Sequence, residues 1–223
     1  MTTERVLVVA PHPDDEVLGP GGTIARFASS GADVAVVIMT RGRPPQFSEE
    51  STEALRAETK AAHAALGVTS SHFLDLPAAG LDTVPHAEMN SKLAAVFAEV
   101  GPTKLFVPFN GDMHTDHQLT FTSALVCARP GRTGAPRAVY AYETLSETFW
   151  NAPYLTPDFV PTLFVDITGS IDTKLEAMSC YRSQVQPPPH ERSLQAIQAL
   201  ATFRGASVDV AAAEGFVLVR QML

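Results

Sequence analysis

Residues Arg5–Ala10 read RVLVVA, and the next six, Pro11–Glu16, read PHPDDE. A nearly continuous apolar and β-branched run predicts a strand that is covered on both faces, as in a parallel sheet. The two prolines disfavour helical geometry at the residues before them, so the chain should stay extended through His12 and turn at Asp14. One imidazole and two carboxylates are therefore expected at the carboxyl end of a strand, where ligands bind in open α/β sheets.

The alternation of strands and helices continues along the chain. A helix after Gly21 and a buried strand at Val34–Met39 complete a β-α-β unit, which is typical of a parallel sheet with right-handed crossovers. Later strands are predicted at His72–Leu76, Lys104–Phe109, Arg137–Tyr142, Phe164–Ile167 and Glu214–Arg220. Residues 145–161 are predicted to be irregular. The sequence thus predicts one α/β domain over residues 1–223, a Rossmann-like three-layer sandwich with a mostly parallel central sheet.

Composition and charge argue against some classes of binding partner. The 223 residues are 45% hydrophobic and 18% charged, which is enough apolar mass for a core, and the formal net charge is −8. An acidic protein is a poor partner for nucleic acid or an anionic membrane, although one arginine in a pocket can still favour a small anionic substrate. No apolar run reaches the ~18 residues that span a bilayer, and no secretory signal is present, so a cytoplasmic protein without membrane insertion is expected. The proline-rich aromatic stretch 145–161 could serve a homo-oligomer interface.

A second cluster of ionisable residues, Asn110–His117 (NGDMHTDH), directly follows the strand predicted at Lys104–Phe109. If that strand neighbours the first one, both clusters lie over the same edge of the sheet. A catalytic zinc site takes three His or carboxylate ligands and leaves one position to water. His12, Asp15 and His117 could supply these ligands, and the same set also suits Fe(II) or another divalent ion.

The remaining side chains suggest catalytic roles. Asp14 could take a proton from metal-bound water as general base, because it is left outside the ligand set. His114 could donate a hydrogen bond or a proton to the developing oxyanion or leaving group. Asp116 could orient His114, as a carboxylate partner fixes an imidazole tautomer.

Simpler interpretations exist for each residue taken alone. Asp14 and Asp15 could be a helix N-cap and a first-turn charge, and Asp116 could be another N-cap. Two strand-end clusters at one edge make it improbable that every one of these residues is merely structural. Two alternatives to a hydrolase with a single metal ion also remain open. One is a phosphoesterase-type hydrolase, which would hold two metal ions, and the other is a non-catalytic sugar-binding protein.

The paired motifs resemble those of a known family. Pro11–Glu16, then Gly21–Ile24 (GGTI), then His114–His117 (HTDH) about a hundred residues later, together resemble the LmbE-like (PIG-L) family of zinc-dependent N-deacetylases. Residues 213–216 (AEGF) also look like the late segment of that family. The resemblance implies hydrolysis of the N-acetyl group of an N-acetylglucosamine-type amino sugar or its conjugate.

The resemblance also assigns roles to individual positions. It implies zinc held by His12, Asp15 and His117, with Asp14 as base. It also implies that His114, supported by Asp116, stabilises the oxyanion or protonates the leaving amine. It further implies that Arg56, on the helix after the second strand, holds the substrate. The carbonyl-polarising tyrosine of some members has no counterpart beside His114, and Tyr142 and Tyr181 are the nearest candidates.

Overall fold

The computed structural model describes residues 4–132, 134–152 and 154–223. Its strands are β1 (Arg5–Ala10), β2 (Asp33–Arg41), β3 (Ser70–Pro77), β4 (Lys104–Pro108), β5 (Ala138–Tyr142), β6 (Leu163–Asp166) and β7 (Ala213–Gln221). They form one seven-stranded sheet in the order β3-β2-β1-β4-β5-β7-β6. The pairs from β3 to β5 are parallel, and β7 is antiparallel to both β5 and β6. The predicted mostly parallel sheet is confirmed.

The helices lie between the strands. They are α1 (Asp15–Leu18), α2 (Gly21–Ser29), α3 (Glu49–Leu66), α4 (His86–Val100), α5 (Thr115–Cys127), α6 (Leu145–Thr148), α7 (Ile171–Cys180) and α8 (Leu194–Ala206), with a 3₁₀ turn at Leu81–Thr83. The short helix α6 lies in the segment predicted to be irregular, so that prediction was wrong for its first four residues. No helix among the described residues is both long enough and apolar enough to cross a membrane.

The sheet is the middle of three layers. Alternate residues of β1 face opposite sides, with Val6 and Val8 in one core cluster and Leu7 and Val9 in the other. The first cluster includes side chains from α2, α3, α7 and α8, and the second includes side chains from α4 and α5. Both faces of β1 are therefore covered, which explains why its sequence is a continuous apolar run rather than an alternating one. The predicted three-layer sandwich is confirmed.

The strand order places a crevice at one point of the sheet edge. β1 pairs with β2 on one side and with β4 on the other, with Val6 opposite Lys104. The chain leaves the carboxyl end of β1 toward one side of the sheet and that of β4 toward the other, which makes this pair the topological switch point. The sequences PHPDDE and NGDMHTDH follow these two strands, so they meet at the crevice as predicted.

A buried ion pair anchors the helix that follows PHPDDE. The Glu214 carboxylate, from β7, accepts two backbone N–H groups at the start of α2, each at 2.8 Å. Lys174, from α7, donates to Glu214 at 2.6 Å and to the carbonyl oxygens of Leu18 and Gly19 at 3.0 and 2.9 Å. Both charged side chains are nearly inaccessible to solvent, so their stability depends on this complete set of hydrogen bonds.

Candidate metal and catalytic site

Three predicted ligand atoms converge on one point at the crevice. Asp15 Oδ2 lies 3.3 Å from His12 Nδ1 and 3.2 Å from His117 Nε2, and the three donors are all within 4.8 Å of one another. Ligand atoms bound at 2.0–2.2 Å in a tetrahedral arrangement lie roughly 3.3–3.6 Å apart. The spacing and the donor types therefore fit a divalent metal ion.

The imidazole of His117 carries a second argument for a metal. Its Nδ1 pairs with Asp112 Oδ2 at 2.8 Å, while its Nε2 is buried and has no hydrogen-bond partner among the described residues. With the proton on Nδ1, the Nε2 lone pair faces the Asp15 carboxylate, and either a second proton or a metal ion between them relieves the repulsion. Burial opposes a charged His117, yet the Asp15 and Asp112 carboxylates raise its pKa well above the ordinary value. The site favours positive charge at this position.

The outer nitrogen of His12 is held by a carboxylate in the same way. His12 Nε2 lies 3.1 Å from Asp116 Oδ2, and Asp116 also accepts backbone N–H groups from Ala79 at 2.8 Å and Leu81 at 3.0 Å. Burial lowers the pKa of His12, but hydrogen bonds to Asp116 and Asp15 raise it to about 9. A metal ion must displace protons here, so its binding releases protons.

The role predicted for Asp116 differs from its placement. Its carboxylate contacts His12 rather than His114, and only its backbone N–H bonds to His114, at 3.1 Å from Nδ1. The two N–H groups from the segment after β3 hold the carboxylate toward His12. Asp116 therefore orients the candidate ligand His12, across 104 positions of sequence, rather than its near neighbour His114.

His114 lies at the N-cap of α5 and lines the cavity. Because its Nδ1 accepts the Asp116 N–H, the ring proton of the neutral form belongs on Nε2. Burial and the nearby positive charge of His12 lower the pKa of His114. It is therefore a neutral imidazole near pH 7 with one N–H to donate, which suits a hydrogen bond to a developing oxyanion.

Asp14 lies beside the three ligand atoms without belonging to their set. It is 5% exposed, and its φ of 105° is in the left-handed region that an aspartate rarely occupies. Burial, with the Asp15 charge second, raises the pKa of Asp14 well above the ordinary value. A buried carboxylate of high proton affinity, next to the metal position, is suited to accept a proton.

A buried network lies behind Asp14. Glu16 is fully buried; its Oε2 accepts the Asp14 N–H at 3.1 Å and its Oε1 accepts the Tyr181 hydroxyl. Tyr142 is also buried and donates to the Val9 carbonyl at 2.9 Å. Neither tyrosine lines the cavity, so neither stands in for the carbonyl-polarising tyrosine.

Arg56, to which the resemblance assigns substrate binding, lines a smaller neighbouring cavity that shares Pro13 and Gly42 with the cavity beside Asp14. Its guanidinium pairs with Asp75 and lies 4.4 Å from the centre of the Phe73 ring, and it does not line the cavity beside Asp14. The arginine that lines this cavity is Arg192, in the segment before α8. Sequence reasoning missed it because the segment has no recognised motif.

The cavity beside the ligand atoms has a volume of about 320 Å³, room for one sugar ring with substituents. It is lined by His12, Pro13, Asp14, Asp15, Gly42, Phe47, Ser51, Thr52, Leu55, Ala78, Ala79, His114, Ser146, Glu147, Ser183, Gln184 and Arg192. The lining residues come from segments that follow β1, β2, β3, β4 and β5, and from the segment between α7 and α8. The segment between β2 and α3 contributes Gly42 and Phe47.

Asp112 is a residue of the site to which the sequence pattern gave no role. It is fully buried, holds His117 Nδ1 and accepts the Thr148 hydroxyl at 2.6 Å. Asp112→Asn is expected to lower metal affinity by about 10–100-fold, because the partner that orients and polarises the His117 imidazole loses its charge. Competition with a chromogenic chelator measures the affinity. The exposed Asp158→Asn is the control, and an unchanged affinity for Asp112→Asn would contradict the assignment.

Comparisons with known proteins show which family the chain belongs to. The family model described as PIG-L, GlcNAc-PI de-N-acetylase, matches residues 7–128. The chain belongs to the PIG-L family. A PIG-L relative from Rhodococcus jostii (strain RHA1), named 1D-myo-inositol 2-acetamido-2-deoxy-alpha-D-glucopyranoside deacetylase, is 30% identical over 99% of this chain and 93% of its own length. A protein of the same name from Mycobacterium sp. (strain JLS) is 29% identical over 85% of this chain and 77% of its own length.

Solved structures share the fold. The conserved protein TT1542 from Thermus thermophilus superposes with a TM-score of 0.80, 29% identity, and coverage of 99% of this chain and 97% of that one. The N,N'-diacetylchitobiose deacetylase from Pyrococcus horikoshii superposes with a TM-score of 0.77 and 24% identity, and the match covers 97% of this chain and 84% of that one. A 4-carboxy-2-hydroxymuconate hydratase from Pseudomonas putida KT2440 superposes with a TM-score of 0.80 and 24% identity, and the match covers 99% of this chain and 98% of that one. A deacetylase and a hydratase therefore share this fold, so the fold alone does not determine the reaction and the side chains of the site do.

Proposed function

We propose that this chain is a metal-dependent hydrolase that removes the acetyl group from an N-acetylglucosamine-type sugar or its conjugate. The observation that carries the proposal is the convergence of His12 Nδ1, Asp15 Oδ2 and His117 Nε2, with the Asp14 carboxylate beside them in a cavity. The named activity of the relatives from Rhodococcus jostii and Mycobacterium, a deacetylase of an acetamido sugar joined to inositol, supports this substrate class.

Each residue then has a definite task. A divalent ion held by His12, Asp15 and His117 would polarise the amide carbonyl and lower the pKa of a bound water toward ~7. Asp14 accepts the proton as this water attacks the carbonyl carbon, and later returns it to the departing amine. His114 donates its Nε2–H to the carbonyl oxygen as negative charge develops there. Both tasks are needed, because an amine leaves only after protonation.

The metal proposed is zinc. Two imidazoles and one carboxylate match the protein ligands of catalytic zinc sites, which leave a fourth position to water. Fe²⁺ suits the same donors, and metal analysis of the purified protein separates the two. We also propose that residues 1–223 act as one domain, because a single sheet joins the first described strand to the last.

The proposed activity is tested by acetate release from a panel of N-acetylated amino sugars and their conjugates. Zinc-loaded protein is expected to release acetate and amine in equal amounts, and removal of the metal by a chelator is expected to abolish both. One ion per chain is expected. Two ions about 3.5–4 Å apart would favour a phosphoesterase instead. Tight metal binding without acetate release from any panel member would overturn the proposal.

A further inference from the structure

Arg192 occupies an unusual place in the cavity wall. Its Nη1 donates to the neutral Gln184 amide oxygen at 2.8 Å and lies 3.7 Å from Asp14 Oδ2. Its Nε is buried and has no hydrogen-bond partner among the described residues. A distance of 3.7 Å is too long for a hydrogen bond to Asp14. The guanidinium is thus fixed by an uncharged neighbour, with donor capacity left over.

Three other arginines in the described part of the chain bond directly to carboxylates, and several more donate to backbone carbonyl oxygens. The carboxylate pairs are Arg41 with Glu49 and Glu53, Arg56 with Asp75, and Arg204 with Glu143. The guanidinium is a planar fork whose parallel N–H groups match a carboxylate or a phosphate. Arg192 has the same chemistry, yet its hydrogen bond within the described part of the chain is to an amide.

We propose that Arg192 binds an anionic group of the substrate, a phosphate or a carboxylate. This inference rests on the proposed deacetylase function and adds the charge of the substrate to it. The ionisable side chains along the cavity wall show which group could meet an anion there. Asp14, Asp15 and Glu147 are acidic, whereas Arg192 is the one Lys or Arg among the lining residues that the structure describes. An anion that meets the guanidinium offsets the cost of withdrawing it from water.

The geometry also limits where on the substrate this anion lies. Asp14 must touch the water that attacks the amide carbon, and the same carboxylate is 3.7 Å from Arg192. A group bound by Arg192 is therefore close to the acetamido group. On a 2-acetamido sugar, the substituents that lie this close are those on the neighbouring ring carbons, C1 and C3.

A different role for Arg192 makes a different prediction. The positive charge of Arg192 lowers the pKa of Asp14, against the effects of burial and of Asp15. If that were its whole role, losing the charge would impair every substrate to the same extent. A group that binds substrate charge instead changes the preference between anionic and neutral substrates.

The experiment compares Arg192→Gln and Arg192→Lys with Arg182→Gln, an exposed arginine of the same segment. Three probes are used: N-acetylglucosamine 1-phosphate, N-acetylmuramic acid with its carboxylate on O3, and the neutral methyl glycoside of N-acetylglucosamine. Zinc-loaded Arg192→Gln is expected to lose at least about tenfold more kcat/KM on an anionic probe than on the neutral one. Arg192→Lys should recover part of the preference for anionic probes. Comparing the phosphate probe with the carboxylate probe shows which of the two anionic groups Arg192 binds.

Binding keeps this test separate from deacetylation itself. Calorimetric dissociation constants for the same probes, measured on metal-loaded protein, apply whether or not acetate is released. Tighter binding of an anionic probe that Arg192→Gln removes and Arg182→Gln retains would support the inference, even if no probe is hydrolysed. The inference would be overturned if Arg192→Gln weakened the binding of all probes equally, or if the wild-type protein bound anionic and neutral probes equally well. Thermal denaturation of each variant confirms that it is folded.

Discussion

Replacing Asp14 by asparagine is expected to lower kcat for acetate release by about 10²–10⁴-fold while zinc remains bound. The amide keeps the size of the side chain but cannot accept a proton at neutral pH. The metal should stay because Asp14 is not one of the three converging ligands. Steady-state acetate release and metal content per chain are the two measurements.

The exposed Asp172→Asn, which removes the same charge elsewhere, serves as the control for Asp14→Asn. A variant that lost its metal would show that Asp14 is a ligand, and one that kept full activity would exclude it as the base. The unusual backbone at Asp14, with φ at 105°, gives a further reason to choose asparagine. Asparagine tolerates the left-handed region better than most residues, so the backbone is disturbed least.

Glu214→Gln is expected to lower the free energy of unfolding by about 3–5 kcal/mol, the cost of removing one partner of a buried ion pair. Lys174 would be left buried with two carbonyl oxygens and no opposite charge. The amide NH₂ that replaces one oxygen would also face a donor, either Lys174 or a backbone N–H of α2. Urea denaturation followed by circular dichroism measures the loss.

Exposed Glu176→Gln, on the same helix as Lys174, is the matched control and should change stability by less than about 0.5 kcal/mol. The double variant Lys174→Met with Glu214→Gln should lose less than the two single variants added together, because no unpaired charge remains. Strict additivity would show that the two side chains do not stabilise each other.

The meeting of His12, Asp15 and His117 at one edge could be predicted from the sequence because each lies in a segment that follows a buried strand. His12 and Asp15 come after β1, and His117 lies a few residues beyond β4. The parallel sheet brings neighbouring strand ends together, so local patterns were enough to place three ligands and Asp14 at one edge. The fold class was predictable for the same reason, since continuous apolar runs alternate with helical segments.

The partners of these residues could not be predicted, because they are set by contacts between distant segments. Asp116 was assigned to its sequence neighbour His114, whereas its carboxylate reaches His12. Arg192 reaches the cavity from a segment that carries no strand-end pattern. Residues 213–216 resembled the family, but only the packed sheet shows that Glu214 meets the start of α2. Contacts between side chains that are far apart in the sequence cannot be read from the spacing of residues within one segment.

The position of Glu214 has a consequence for the order in which the molecule is completed. The three proposed ligands lie within residues 12–117, so they are synthesised about a hundred residues before Glu214. The residue that fixes α2 behind PHPDDE comes from β7, which also separates β5 from β6. We expect a chain ended at residue 212 to bind zinc far more weakly than the full chain, measured by equilibrium dialysis. Equal affinity would show that the first half assembles the site unaided. The proposed ligands are made early, but the helix behind two of them is fixed only when β7 has been made.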